Sequence, residues 1–283
     1  MTPAYSLAVQ TQGKRIASRQ CCRYIEVVKV KRLSILFLAV GFGGLLAQAG
    51  VDDAPSQPAA KVSIVSDEAR AKFALDGARH AYRVAVNQQT NQYETAWQLC
   101  RALIDAGTLT KGRVAQKLLF VESEQLARHA VKINSTDSKG HLYLSISVGK
   151  LALFEGGKRK VELSKEVKTE AEQAIALDPA EDAAYHVLGI WNREVFELNL
   201  LLKKFAELLY GNFPQASLEA AQSNLRRAVE LAPTVVSHRV ELGLTLLAAG
   251  KRVEGHALLE EALRMPETWV TDDYYKAIAR KNL

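Results

Sequence analysis

The sequence predicts an all-α fold in which antiparallel helix pairs stack into a right-handed solenoid with insertions. One observation is a constant spacing, since 15 positions separate a small residue that closes one helix pair from a small residue that opens the next. The spacing recurs at Ala85 to Cys100, Ala130 to Ser145, Ala174 to Gly189 and Ala228 to Gly243. A second observation is that a leucine precedes each opening residue, at Leu99, Leu144, Leu188 and Leu242. These matches indicate a repeat, because small residues let helices touch and the leucine fills the space beside them.

The period of the repeat is typical of the tetratricopeptide (TPR) motif. Closing alanines at 85, 130, 174, 228 and 262 are 45, 44, 54 and 34 residues apart, and the last step is the TPR period. The longer steps contain 11, 10 and 20 additional residues. Because the junctions between repeats do not change, we expect the additional residues between the first (A) and second (B) helix of a repeat. Ala130, Ala174, Ala228 and Ala262 are therefore predicted packing residues, together with the four opening residues and their leucines.

Capping residues, glycines and apolar periodicity place the helices in order. Ser66-Asp67-Glu68 caps a helix that runs to about Asn87 and covers one end of the stack as a half-repeat. Three helix pairs follow, at 91–106 with 112–133, 137–155 with 158–177, and from 182 with 215–231. The third pair contains the 20-residue insertion, whose leucines and Phe205 form one broad apolar face. One regular repeat, 234–249 with 251–263, and a terminal helix over 269–283 complete the domain, and a turn over 107–112 joins the first pair.

Residues 1–49 form a predicted N-terminal extension with a secretory signal. Val30-Lys31-Arg32 precedes an apolar run from Leu33 to Leu46, and Ala47-Gln48-Ala49 is a cleavage sequence. We expect cleavage after Ala49 and a periplasmic or secreted protein; the alternative is an uncleaved N-terminal anchor that keeps the domain near a membrane. The first 26 residues are long for such a leader, so the true start is expected near 27–30. Residues 50–65 are then a linker, and residues 66–283 are the repeat domain.

Charge and motif content exclude several classes of function. The net charge is +6, but residues 1–49 carry seven bases and one acid, which leaves 30 bases and 30 acids from Gly50 onward. A neutral domain lacks the broad field that attracts nucleic-acid phosphates, so we expect no nucleic-acid partner. Beyond the leader, Cys100 is the one cysteine, expected to pack between helices, and the six histidines fall singly on separate helices. Because no phosphate loop, nucleophile elbow or metal-spaced cluster occurs, we expect a non-catalytic protein without metal or cofactor.

TPR geometry assigns ligand binding to a concave groove lined by the A helices. The corresponding positions give the groove candidates Trp97, Arg101, Ile104, Lys150, His186, Arg193 and Leu244. A mainly apolar groove with three cations suits either an amphipathic peptide or an acyl chain with an anionic end. Alternatively, the apolar residues pack against the insertion helix. Outside the groove, the charged run 158–168 is either a solvated helix start or a contact for phosphate or anionic lipid.

Several motifs resemble one protein family. They are Glu155-Gly156-Gly157-Lys158 with Leu163-Ser164-Lys165-Glu166, Tyr185-His186-Val187-Leu188-Gly189-Ile190-Trp191, and Leu209-Tyr210-Gly211 with Pro214. Over about residues 66–283 they resemble the TPR-like regulator of microtubule dynamics family and its bacterial relatives. The resemblance implies microtubule association in the eukaryotic members, and phospholipid binding and transfer in some membrane-tethered relatives. The leader departs from this pattern and is typical of bacterial export.

Two hypotheses of different class follow. In the first, the protein is an exported scaffold that holds a protein or peptide partner in its groove. In the second, it is a lipid-binding module in which Arg101, Lys150 or Arg193 contacts the headgroup. A cytoskeleton-associated regulator is a third alternative, implied by the family resemblance.

Overall fold

The computed structural model describes residues 66–198 and 215–283, which contain ten α-helices and no strand. The predicted all-α class is confirmed. In chain order the helices are α1 (Asp67–Gln88), α2 (Gln92–Leu109), α3 (Arg113–Ile133), α4 (Ser138–Ala152), α5 (Gly157–Leu177), α6 (Asp182–Glu197), α7 (Leu218–Leu231), α8 (Val236–Ala248), α9 (Arg252–Arg264) and α10 (Asp272–Asn282). The predicted apolar face of the insertion, beyond Leu198, lies outside the described residues. No helix in the described part of the chain is long and apolar enough to cross a bilayer.

Side-chain caps fix several of the helix starts. The Ser66 hydroxyl accepts a hydrogen bond from the Ala69 N–H, and Asp137 accepts one from the Lys139 N–H at 2.9 Å. Ser217 caps α7 in the same way through Ala220. Each cap satisfies an N–H group that has no partner within its own helix. The starts of α1, α4 and α7 are therefore fixed at defined residues.

Small residues lie where consecutive helices cross. Cys100, Ser145 and the alanines at 130, 174, 228 and 262 are fully buried. A Cβ on Gly189 would meet Leu225 Cγ at 2.4 Å, and one on Gly243 would meet Leu259 Cδ2 at 2.8 Å. The Ser145 hydroxyl donates to the Val167 carbonyl at 2.8 Å, so even this polar residue is satisfied inside the stack. At the two glycines the helices approach so closely that a Cβ would overlap the facing leucine.

The additional residues of the first repeat do not form a separate segment between its helices, as expected, but lengthen the helices themselves. Helices α2 and α3 contain 18 and 21 residues, whereas α8 and α9 of the regular repeat contain 13 each. The predicted turn at 107–112 is wrong in its first half, because α2 continues to Leu109. Gly107 lies within the helix, and a Cβ there would meet the Phe120 ring at 2.5 Å. The glycine is therefore needed for the approach of an aromatic ring from α3, and not for a bend.

The C-terminal helix covers the last repeat and holds the loop before it. Ala279 of α10 packs into the cluster formed by Val236, Val240 and Leu259. The predicted start at Trp269 is three residues too early, since α10 begins at Asp272. Asp272 is buried, and its carboxylate accepts the N–H groups of Thr268 and Trp269 at 2.7 and 2.8 Å. These bonds fix the conformation of the loop that carries Trp269.

A concave groove with a polar centre

The A helices form the inner face of the stack. Neighbouring A helices contact one another, α2 with α4, α4 with α6 and α6 with α8, in addition to the contacts with their own B helices. Helix α10 then contacts α8, and the Arg101 guanidinium of α2 lies 3.8 Å from the centre of the Trp269 ring just before α10. These contacts form a closed circuit, which runs through α2, α4, α6, α8, α10 and back to α2. We call the Arg101–Trp269 contact the clasp.

Aromatic rings line the groove at the end formed by α2 and α4. The rings of Trp97 and Tyr143 stack with centroids 5.7 Å apart and planes 6° apart. The Trp97 indole N–H donates to the Glu94 carboxylate at 3.1 Å. Tyr143 is buried, and burial raises the pKa of its hydroxyl. Trp97 is the partly exposed ring of the stack, and it lies next to the clasp because Trp97 and Arg101 are neighbours along one face of α2.

Lys150 occupies the polar centre of the groove. Burial lowers the pKa of its ammonium group, and the negative charges of Glu241 on α8 and Asp105 on α2 oppose this effect. Among the described residues its Nζ makes no hydrogen bond and no ion pair. Burial raises the pKa of the Asp105 carboxyl to about 6, although Arg101 and Lys150 act in the opposite direction. The centre therefore combines a lysine with no close partner and a carboxyl group that binds a proton more tightly than usual.

Two histidines and an aspartate form a hydrogen-bonded chain between α6 and α8. The His238 Nε2 lies 2.7 Å from the Asp182 carboxylate, and its Nδ1 lies 3.0 Å from the His186 Nδ1. The Asp182 carboxylate accepts a hydrogen bond from the His238 Nε2–H, and the two Nδ1 atoms share one N–H between them. The His186 Nε2 forms no hydrogen bond with another described residue. Burial, followed by the charges of His238, Lys150 and Arg193, lowers the pKa of His186 well below 6.5, so its ring is neutral at neutral pH.

Arg193 joins α6 to α8 and has little freedom to contact a ligand. Only 8% of the residue is exposed. Its guanidinium lies 2.7 Å from the Glu241 carboxylate and donates to the Glu241 carbonyl at 3.2 Å and to the Thr245 hydroxyl at 3.1 Å. A buried charge with this many partners holds two helices together, and its removal leaves Glu241 buried and unpaired.

The structure brings some of the predicted groove residues together and separates others. Lys150 and His186 lie close enough to influence each other's charge, and Trp97 and Arg101 lie at the α2 end of the same face. Ile104 is buried in the core of the first repeats, and Leu244 packs against the cluster under α10. The sequence predicted a mainly apolar groove. The described side chains at its centre are instead charged or aromatic, because the apolar ones pack between helices.

Sequence reasoning did not find several residues of the groove. His238 and His186 are 52 positions apart on separate helices, and only the stacking of the repeats makes them neighbours. The sequence predicts Trp269 in a terminal helix, and nothing in the flanking sequence indicates a contact with α2. Glu241 lies on the same A helix as the predicted Leu244 but one helical turn earlier. Glu241 lies two residues before the small opening residue Gly243, and this position could have identified it as a groove residue. In the part of the chain that the structure describes, no group of three or more His, Cys, Asp or Glu side chains could hold a metal ion.

Comparison with known proteins identifies the relatives of this chain. The family model for regulator of microtubule dynamics protein 1-3 matches residues 64–283. Regulator of microtubule dynamics protein 1 of Mus musculus is 25% identical over 230 residues, which are 79% of this chain and 74% of the mouse protein. Regulator of microtubule dynamics protein 3 of Mus musculus is 25% identical over 89% of this chain and 55% of its own length.

A solved structure shares the fold. The crystal structure of a thermophilic TPR protein of Thermus thermophilus aligns with a TM-score of 0.53 and 15% identity, over 75% of this chain and 93% of the other. This likeness confirms the TPR-like solenoid. Since the family model covers most of the sequence, the resemblance seen in the sequence is also confirmed, and the chain belongs to the regulator of microtubule dynamics protein 1-3 family.

Proposed function

We propose that this protein is an exported, non-catalytic scaffold that binds an extended segment of a partner protein in its concave groove. The proposal depends mainly on one observation, the convergence of side chains from α2, α4 and α6 around Lys150. TPR-like folds are scaffolds for protein interactions, and the inner face is where successive repeats can contact one ligand. The predicted signal sequence supports export.

The polarity of the groove favours a peptide over a hydrocarbon chain. Lys150 offers hydrogen-bond donors, the Asp105 carboxyl offers acceptors, and Trp97 offers an apolar ring. An extended peptide presents N–H and C=O groups in alternation and can satisfy both kinds of partner. An acyl chain can form neither kind of hydrogen bond. It would also displace water from the charged groups at the centre of the groove without replacing the hydrogen bonds of that water.

Site-specific photocrosslinking tests this proposal. A photoreactive amino acid at Trp97 should capture a discrete partner in the producing cell, and Lys150→Glu in the same chain should reduce the yield about tenfold, as expected for a groove contact worth about 1.4 kcal/mol. The matched control places the same group at Val253, which is exposed on the outer helix α9. Equal capture of that partner from both positions, with or without Lys150→Glu, would show that the groove does not bind it.

Two further measurements separate the alternatives. Native mass spectrometry of protein purified gently from a membrane-rich host should show the polypeptide mass alone; a phospholipid-sized addition that disappears in Lys150→Glu would favour the lipid-binding module. Lys150→Glu is a better variant for this purpose than Arg193→Glu, because Arg193 holds α6 to α8. Co-sedimentation with polymerised tubulin tests the cytoskeletal alternative that the names of the relatives suggest.

A further inference from the structure

Two turns between A and B helices lie side by side on one edge of the solenoid. The Arg113 guanidinium donates to the Leu153 carbonyl at 3.4 Å and lies 4.7 Å from the centre of the Phe154 ring. Lys117 forms an ion pair with Glu155 at 2.8 Å. These contacts join the turn from α2 to α3 with the turn from α4 to α5. We call residues 109–118 and 153–160 together the basic edge.

The basic edge concentrates positive charge in a domain that is neutral as a whole. It contains six bases and one acid, and Glu162, two residues beyond it, lies 3.7 Å from both Lys158 and Arg159. The bases are Lys111, Arg113, Lys117, Lys158, Arg159 and Lys160, and the acid is Glu155. Helices α3 and α5 begin here without an acidic residue in their first turns, so the positive ends of both helix dipoles add to the same field.

The opposite edge of the same repeats has the opposite sign. The turns from B to A helices, at 134–139 and 178–182, contain four acids and one lysine. The acids are Asp137, Asp178, Glu181 and Asp182, and the lysine is Lys139. The first two repeats are therefore polarised between these two edges, and a negatively charged surface would orient them with the basic edge inward.

Exposed aliphatic side chains accompany the bases on this edge. Val114, Leu118 and Leu153 are 77%, 66% and 63% exposed. Val114 and Leu118 are one turn apart on α3, and Arg113 of the same turn contacts Leu153. A nucleic acid would match the charge but would leave three aliphatic groups in water. A lipid bilayer with anionic headgroups matches both features, because it offers phosphates above an apolar layer.

We propose that the basic edge docks this protein onto the surface of an anionic bilayer. Lys111, Lys158 and Lys160 lie over the lipid phosphates, and Val114, Leu118 and Leu153 enter the boundary between headgroups and acyl chains. The concave groove is lined by other residues and does not take part. The protein is thereby held with its acidic edge away from the membrane.

The test measures the binding of the full chain to vesicles and locates the contact by amide hydrogen exchange. Vesicles of phosphatidylcholine are compared with vesicles that also contain about 30 mol% phosphatidylglycerol. We expect anionic vesicles to increase the bound fraction and to slow exchange at residues 109–118 and 153–160, and added salt to reduce both effects. Because the exchange readout is local, it separates docking by this edge from any binding through the N-terminal extension.

Matched variants test whether vesicle binding depends on the position of the lysines or on the net charge of the protein. The triple variant Lys111→Glu, Lys158→Glu and Lys160→Glu should bind anionic vesicles at least about tenfold more weakly than the unchanged chain. The control variant Lys72→Glu, Lys132→Glu and Lys281→Glu changes the net charge equally at exposed positions outside the edge and should retain binding. A third variant, Val114→Ser with Leu118→Ser and Leu153→Ser, should weaken binding several-fold and keep its dependence on anionic lipid.

Three outcomes would overturn the proposal. One is unchanged exchange at both turns when the chain is bound to anionic vesicles. Another is an equal loss of binding in the two lysine variants, which would indicate a net-charge effect. The last is protection of the turns by a soluble polyanion such as duplex DNA without protection by vesicles, which would assign the edge to a different class of partner.

Discussion

At the scale of single residues, Asp105 connects the groove to the pH dependence of stability. Its pKa is raised from 3.8 to about 6 by burial, so the folded state binds its proton more tightly than the unfolded state does. The stabilising contribution of this proton is complete below about pH 4 and is lost as pH rises through about 6. Arg101 and Lys150 are the cations that face this carboxyl, and both oppose the shift.

We predict that Asp105→Asn stabilises the protein at neutral pH. The variant removes a partly buried negative charge, so its free energy of unfolding should exceed that of the unchanged chain by about 1–2 kcal/mol above about pH 6. The difference should disappear near pH 4, where Asp105 is protonated in the folded state. Chemical denaturation at several pH values measures this, and a difference independent of pH would contradict the assignment.

His186 should produce the opposite pH dependence. Burial lowers its pKa, so the folded state favours the neutral ring and stability is lost as pH falls through about 6.5, the ordinary value. We predict that His186→Gln makes the free energy of unfolding less dependent on pH between about 7.5 and 5. The control is His80→Gln, an exposed position on α1. If His80→Gln flattens the profile as much as His186→Gln, the hydrogen-bonded chain of histidines does not cause the effect.

At the scale of helices, two glycines with different surroundings make a matched pair. A Cβ on Gly189 in α6 would meet Leu225 of α7 at 2.4 Å, whereas one on Gly77 in α1 would meet nothing within 4 Å. We predict that Gly189→Ala lowers the free energy of unfolding by about 1–3 kcal/mol, because the helices must separate. Gly77→Ala should raise it by about 0.5–1 kcal/mol through helix propensity. Thermal unfolding of both variants checks the pair, and equal effects would mean that Gly189 is not a packing position.

The helices and their order could be predicted from the sequence because repeat packing is local. Gly189 and Leu225 lie in adjacent helices of one pair. The small residue Gly189 follows the closing alanine of the preceding repeat at the fixed spacing of 15 positions, and this spacing can be seen in a single sequence. Gly107 shows where this reasoning ends. Its sequence context is that of a turn, and the Phe120 ring that requires a glycine comes from the next helix. No periodicity within α2 carries that information.

At the scale of the whole molecule, the clasp could not be predicted because it depends on how far the stack curves. Arg101 belongs to the first helix pair and Trp269 to the last loop. The curvature that brings them together is the sum of small rotations from each repeat to the next. Helix lengths, tilts and the insertions each change that sum. The residues at the centre of the groove are hidden from sequence reasoning for the same reason. The positions of Lys150 and His186 on their own helices follow from the repeat, but their neighbours across the groove do not.

We predict that Trp269→Ala opens the clasp without unfolding the domain. Trp269 is 46% exposed, and a cation–π contact of this kind contributes about 0.5–1 kcal/mol, so thermal stability should change little. Amide exchange at residues 265–271 should accelerate, while exchange in α8 and α9 should stay unchanged. The matched control is Val253→Ala on the outer face, which should leave the 265–271 segment as it is. The Lys276 ammonium also donates to the Met265 carbonyl, at 2.6 Å. Unchanged exchange in Trp269→Ala would mean that Asp272 and Lys276 hold the loop without the clasp.

The clasp also has a consequence for the kinetics of ligand capture. A groove whose first and last walls touch admits a folded or looped ligand only while that contact is broken, so opening precedes association. The observed association rate should then rise with ligand concentration and level off at the opening rate, instead of increasing without limit. A linear peptide that can enter end first has no such ceiling. The shape of the rate curve would therefore tell which kind of ligand this groove is built to receive.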